Sequence, residues 1–253
     1  MTDSSDNTYC VSRLVNRFGD GHNHELNQFI DARDIITKVA AESQREMYLL
    51  GNVIVDQSSL DALLIGDFGF VILEFKSYRN IGSVCLTQQK QLVCYDNNRN
   101  PQKDENGNDL TVKGGNQTNG PLEQAWKNRN NTLSYLKECL KQDYVGAIYL
   151  VILFPGDINI EGLENLQDNE KGWLSVKCET GLEKYLKSIL ENSSRRKILL
   201  KDEIEGLIEK MEANTNYLGK IPIRSATDIS SLLLRGRPRA EGAEQAPVER
   251  TAD

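Results

Sequence analysis

The sequence predicts an α/β domain: a central mixed β-sheet with helices on both faces. Three observations predict it. Residues 60–76, LDALLIGDFGFVILEFK, are two apolar runs around Gly66-Asp67-Phe68-Gly69, the pattern of a tight hairpin. From Ala147 the chain runs almost wholly apolar to Phe154, as a doubly covered strand does. Between and around these lie segments whose apolar residues recur at three- and four-residue steps, the spacing of amphipathic helices.

In chain order, residues 1–8 are polar and read as disordered, and 23–45 reads as the first helix. Its stripe is Leu26, Phe29, Ile30, Ile35, Ile36, Val39 and Ala40. Residues 47–55 read as a strand, and the hairpin follows. Residues 83–87 and 91–95 make a second hairpin across Gln88-Gln89-Lys90, with one face covered and one wet. Residues 96–120 are rich in Asn, Gly and charge and read as a long loop or flexible insertion. Pro121 opens a helix over 121–142, with a predicted buried stripe of Leu122, Trp126, Leu133, Leu136 and Leu140. Pro155-Gly156 stops the apolar strand. After a polar connection, 173–178 is a short strand and 181–192 a helix. These elements complete a domain expected over 1–192. A helical extension is expected over 193–234, with a helix at 201–213, a short strand at 220–224 and a helix from Thr227. A low-complexity, disordered tail follows over 235–253.

The hairpin carries the chemistry. If its turn is centred between Asp67 and Phe68, the pairing that opposes Ile65 to Phe70 also opposes Asp61 to Glu74. Alternation puts Lys76 on the same side as Glu74. Two carboxylates opposed on a sheet lie about 4.5–5.5 Å apart at Cβ and repel, so the arrangement needs compensation. A divalent cation supplies it, since Mg2+ takes oxygen ligands and requires only one or two carboxylates. Lys76 is then placed to hold a water or a phosphate oxygen, which is equipment for metal-assisted phosphodiester hydrolysis. The competing reading is a hairpin with a surface ion pair between Glu74 and Lys76. The strands are apolar on both faces, however, and charges are rarely buried without a partner or a task.

Asp61, the run Glu74-Phe75-Lys76 and the later Gln124 resemble the nuclease-related domain (NERD), a branch of the PD-(D/E)xK nuclease superfamily. The pattern is an acid opening one strand, a glycine turn, an apolar strand ending in E-x-K, and a glutamine-bearing helix. The likeness spans about 25–190. It implies a restriction-endonuclease-like fold and Mg2+, with Mn2+ as a substitute, held by Asp61, Glu74 and the Phe75 main-chain carbonyl. It also implies that Lys76 orients the attacking water and that Gln124 lies in the substrate or metal-water shell. A first-helix acid often joins such sites; Glu25, Asp31, Asp34 and Glu42 all qualify by spacing.

The resemblance therefore implies a Mg2+-dependent nuclease, acting on DNA as an endonuclease. No G-x-x-x-x-G-K-[ST] motif occurs, so a separate ATPase- or helicase-type partner in a defence or repair system is expected by analogy. A homo-oligomer is compatible with the sequence. Two alternatives stand beside this: a non-catalytic nucleic-acid-binding or assembly module on the same fold, and a phosphodiesterase acting on small nucleotides.

A net charge of −7 and pI near 5.1 argue against adhesion to nucleic acid over the whole surface, without excluding a local basic groove. Candidate phosphate contacts are Arg195, Arg196 and Lys197, and Arg235, Arg237 and Arg239. The polar, acidic N-terminus reads as neither a signal nor a transit peptide, and no apolar run reaches membrane length, so a cytoplasmic protein is expected. Cys10, Cys85, Cys94, Cys139 and Cys178 form no C-x-x-C pair, which argues against structural zinc. Cys85 and Cys94 are expected to face each other as small apolar fillers. His22 and His24 read as solvated loop residues.

Overall fold

The computed structural model describes residues 9–16, 23–56, 58–78, 80–115, 120–140, 147–192, 199–213 and 221–222. The chain divides into two compact units, residues 1–222 and 223–253, and the second lies outside the described residues. The helix expected from Thr227, the tail and the candidate basic residues from Arg195 to Lys197 and from Arg235 onward lie there too, as does His22.

Among the described residues the main sheet has seven strands. In chain order they are β1 (Cys10–Leu14), β2 (Met47–Val55), β3 (Ser58–Gly66), β4 (Gly69–Phe75), β7 (Ile148–Phe154), β9 (Leu174–Cys178) and β10 (Ile221–Pro222). Their spatial order is β10-β1-β2-β3-β4-β7-β9. The sheet is mixed: β2, β3 and β4 run antiparallel to one another, while β4, β7 and β9 are parallel. A smaller sheet orders β6 (Leu92–Tyr95), β5 (Ser83–Leu86) and β8 (Asn159–Glu161) side by side. The helices are α1 (Asn23–Ser43), α2 (Pro121–Leu140), α3 (Asp168–Lys171), α4 (Glu179–Asn192) and α5 (Lys201–Ala213).

The hairpin register is the predicted one. Ile65 opposes Phe70 and Ala62 opposes Leu73, across a two-residue turn closed by Gly66 and Gly69. Gly69 has φ 114°, and a side chain on Gly66 would strike the Phe68 ring, so both positions need glycine. All of β4 and β7 is buried. Phe70 and Ile72 share one core with Ala125 and Leu136 of α2 and with Ile204 and Leu207 of α5. The alternating Val71 and Leu73 are equally buried on the other face, where α1 and α4 pack together. Helices therefore cover both faces, as even burial along a strand requires. α5, placed in an extension by the sequence, packs on β2 and joins this core within the first unit.

Three features differ from expectation. First, residues 96–115 are an ordered meander. Leu110 N–H donates to Gln102 O, and Gln102 N–H to Cys94 O. Three successive turns share one construction. Lys90, Arg99 and Gly107 have φ of 64°, 64° and 80°, and the residue opening each turn, Thr87, Asp96 or Asp104, receives backbone N–H groups on its side chain. These are three-residue hairpin loops ending in a left-handed residue. Asn and Gly supply turn geometry there, so a poverty of apolar residues did not mean a poverty of structure.

Second, such a loop shifts the β5–β6 register by one residue from the expected pairing. Cys94 faces Val84 and Cys85 faces Val93, so the two cysteines do not oppose each other. All five cysteines are free.

Third, α2 is rotated relative to its apolar residues. Its buried positions are Pro121, Ala125, Asn128, Thr132 and Leu136, while Trp126 is 61 % exposed. Leu122, Leu133 and Leu140 are only partly buried. Hydrophobicity placed Trp126 in the core; the stripe actually buried is polar in its middle. Strands β1 and β8, too short for a clear period, were not expected.

The phase of α2 is testable by thermal unfolding. Leu136→Ala is expected to cost about 2–5 kcal/mol, as a fully buried leucine does. Trp126→Ala is expected to stay within about 0.5 kcal/mol, as an exposed residue does. The opposite ranking would restore the apolar stripe.

Candidate active site at the end of strand β4

The site forms where the parallel strands β4 and β7 end. β4 alternates Phe70, Ile72 and Glu74 toward α2, so the last core-facing position of an otherwise apolar strand is a carboxylate. Glu74 is 2 % exposed. The chain continues in register past the strand end, with Lys76 N–H donating to Leu153 O at 2.9 Å. That bond holds the lysine on the same side as Glu74. Lys76 Nζ donates to Glu74 Oε1 at 2.9 Å and to Gln124 Oε1 at 3.1 Å.

Gln124 comes from the first turn of α2, where its N–H donates to Gly120 O at 3.1 Å. Its Oε1 also accepts the Gly115 N–H at 2.8 Å. The meander is thereby tied to the site at its end, and again where Lys113 N–H donates to the Tyr78 hydroxyl at 2.8 Å.

Asp61 is partly buried beside the pair. Its Oδ2 accepts the Phe75 N–H at 2.7 Å, just beyond Ala62 and Leu73, the last pair of the β3–β4 ladder. Phe75 thus joins the site through its main chain, and its own ring is buried. Burial pushes the Asp61 carboxyl well above its ordinary range. The negative charges of Glu74 and Glu25 push it further, against the Phe75 hydrogen bond and the Lys76 charge. Glu74 is likewise raised, chiefly by burial. Lys76 opposes this, Glu25 adds to it, and a hydrogen bond from Gln124 opposes it.

Asp61, Glu74, Lys76 and Gln124 therefore come together, and of the four first-helix acids Glu25 is the one whose charge reaches both carboxylates. Asp31 and Asp34 are exposed, with Arg33 bonded to Asp34. Glu42 pairs with Lys187 at 2.7 Å. His24 is exposed on the first turn of α1.

Two residues that the sequence reading did not select belong here. Asn128 Nδ2 donates to Glu74 Oε2 at 3.2 Å. Gln28, on the turn of α1 after Glu25, is buried and donates through Nε2 to Leu153 O at 3.3 Å, the carbonyl that also receives the Lys76 N–H. The signal for Asn128 was the i, i+4 series Gln124, Asn128, Thr132 on one helix face. No comparable signal marked Gln28.

The donor set suits a hard cation. Asp61 and Glu74 offer carboxylate oxygens beside the single positive charge of Lys76. The Gln28 Oε1 is a buried acceptor to which no donor is bonded. Among the described residues no three His, Cys, Asp or Glu side chains form a ready metal cluster, so the fit rests on the two strand carboxylates with water or substrate oxygens.

The raised carboxyls set a pH dependence for the cation-free protein. A pKa higher in the folded than in the unfolded state gives stability that is complete below the unfolded value and lost as pH rises through the folded one. For Asp61 and Glu74 that loss begins above their ordinary 3.8 and 4.5. Asp61→Asn keeps an acceptor for the Phe75 N–H and removes the charge. In EDTA its melting temperature is expected to exceed that of the unaltered protein by a margin that grows as pH rises from acid to neutral. A margin independent of pH would show that Asp61 is not so perturbed.

Comparison of the chain with protein-family models, with curated proteins and with solved structures returned no match.

Proposed function

We propose that this protein is a Mg2+-dependent nuclease of the restriction-endonuclease-like kind, resembling the nuclease-related domain, and that it cleaves DNA internally. The observation that carries the reading is the lysine ammonium held at once by Glu74 and Gln124 beside a second, strongly perturbed carboxylate, Asp61. Perturbed carboxylates gathered with a cation at strand ends are the usual mark of a reacting centre.

Asp61 and Glu74 are the residues that would hold Mg2+, or Mn2+ in its place, with the Phe75 carbonyl as the resemblance implies. A bound divalent ion supplies Lewis acidity toward the phosphate and an acidified water. The remaining work falls to the chain itself. Lys76 brings a fixed positive charge to the phosphate oxygens as negative charge grows on them, and it orients the water that attacks in line. Gln124 has its carbonyl oxygen taken by Lys76 and Gly115, which leaves its amide hydrogens to donate toward Glu74 and a phosphate or water oxygen. Asp61 fixes the backbone at Phe75 and so sets where Glu74 and Lys76 point.

No helix among the described residues is long and apolar enough to cross a membrane. By analogy with the family it resembles, it would act in a cytoplasmic defence or repair system beside a separate ATPase- or helicase-type protein. A second reading is a non-catalytic nucleic-acid-binding or assembly module on the same fold, and the net charge of −7 favours its assembly form.

The test is incubation of purified protein with plasmid, linear DNA and RNA, with Mg2+, Mn2+ or EDTA. Cleavage of plasmid with Mg2+ or Mn2+, abolished by EDTA, is expected. Lys76→Ala, Glu74→Ala and Asp61→Ala are each expected to lower the rate by at least about 100-fold, with the circular dichroism spectrum unchanged. Unaltered cleavage by a folded Glu74→Ala protein would refute the assignment. Binding of DNA that ignores both Mg2+ and these substitutions would establish the second reading.

A further inference from the structure

The buried face of α2 is polar where a core helix is normally apolar. Asn128 is 4 % exposed and Thr132 is fully buried, between Ala125 and Leu136. Both residue types favour helices less than alanine or leucine do, and a buried carboxamide costs stability unless its hydrogen bonds are used. Asn128 uses them at one place that matters: Nδ2 donates to Glu74 Oε2 at 3.2 Å, inside the protein. Glu74 is thus gripped on its two oxygens by different elements. Lys76, on the same strand, takes Oε1, and Asn128, on the facing helix, takes Oε2. Thr132, one turn further on, donates its hydroxyl back to the Asn128 main-chain carbonyl at 2.8 Å. Such back-bonding bends a helix slightly and adds little to its stability.

The two grips differ in kind. A second lysine in place of Asn128 would neutralise Glu74 and displace a cation. A carboxamide orients the carboxylate without cancelling its charge. An ionised carboxylate has about four acceptor positions, so these donors fix its plane and leave capacity for a metal ion.

We propose that Asn128 is a positioning residue that sets the Glu74 carboxylate for binding a divalent cation. The inference rests on the nuclease reading above and adds to it a residue that touches neither substrate nor metal. Outer-shell groups of this kind typically change metal affinity or activity by about 10–100-fold when removed.

The experiment measures Mn2+ binding to the full-length protein by isothermal titration calorimetry, with no nucleic acid present. Asn128→Leu replaces the carboxamide with an apolar group of similar size, and Asn128→Ser serves if the leucine variant does not fold. Leu136→Ala, on the same buried face but away from the carboxylates, controls for loss of packing. The expected result is Mn2+ affinity weakened about 10- to 100-fold by the Asn128 variant and unchanged in Leu136→Ala, although Leu136→Ala melts at lower temperature. Equal weakening in Leu136→Ala, or unchanged affinity in the Asn128 variant, overturns the role proposed for Asn128 and leaves the nuclease reading standing. Absence of Mn2+ binding by the unaltered protein overturns the role proposed for Asn128, and the cleavage test above then decides the nuclease reading on its own.

Discussion

One constraint shapes this molecule: a carboxylate, Glu74, lies near the end of β4, an inner strand of a doubly covered sheet, and is almost wholly removed from water. An isolated buried charge is too costly to keep, so each oxygen must find a donor or the group must take a proton. The donors are visible. Lys76 and Asn128 each take an oxygen, and burial with neighbouring negative charge still holds the carboxyl above its ordinary range. β4 and α2 are brought together here by packing that lies behind the site. Ile72, Ala125 and Leu136 form the apolar floor beneath the polar cluster.

Topology explains why the cluster lies at this end. β4 and β7 are parallel, so their carboxyl ends coincide, and the crossover between them carries both the meander and α2. Crevices beyond the carboxyl ends of parallel strands are the usual places for ligands in open α/β sheets. Leu153 on β7 binds the site from below, its carbonyl receiving the Lys76 N–H from β4 and the Gln28 carboxamide from α1. A single main-chain oxygen thereby joins the lysine to the helix that carries Glu25. The meander approaches from outside, with Gly115 on Gln124 and Lys113 on Tyr78. The site is thus bounded by regular elements on one side and by the least apolar part of the chain on the other.

The sequence disclosed what depends on period and sign of charge. The two-residue turn fixed the hairpin register, and register alone brought Asp61, Glu74 and Lys76 to one side. What stayed hidden depended on context. Residues 96–115 looked featureless because their order comes from Asp96 and Asp104 side chains closing turns, with Arg99 and Gly107 in left-handed conformations. Counting apolar residues does not register that information. The phase of α2 was missed for a related reason: hydrophobicity assumes that a buried face is apolar, and here it is interrupted by Asn128 and Thr132 to meet a carboxylate. The acid of α1 closest to the site was not separable by spacing, since Glu25, Asp31, Asp34 and Glu42 are all compatible with a helix surface. Its selection depends on where the start of the helix meets the sheet.

The same electrostatics that would bind a metal oppose the cation-free fold. Burial and the charges of Glu74 and Glu25 raise the Asp61 carboxyl, and the Lys76 charge opposes them. A ligand that binds the folded state alone stabilises it by mass action. A divalent cation at the carboxylates would then supply stability as well as chemistry, with protons as its competitors for the same oxygens. A site built only for stability would have replaced the two strand carboxylates with apolar residues of similar volume, a change that buried ion pairs often tolerate without loss. Two carboxylates, a lysine and a buried asparagine around one strand end are a local cost, and costs of this kind persist where they serve binding or reaction.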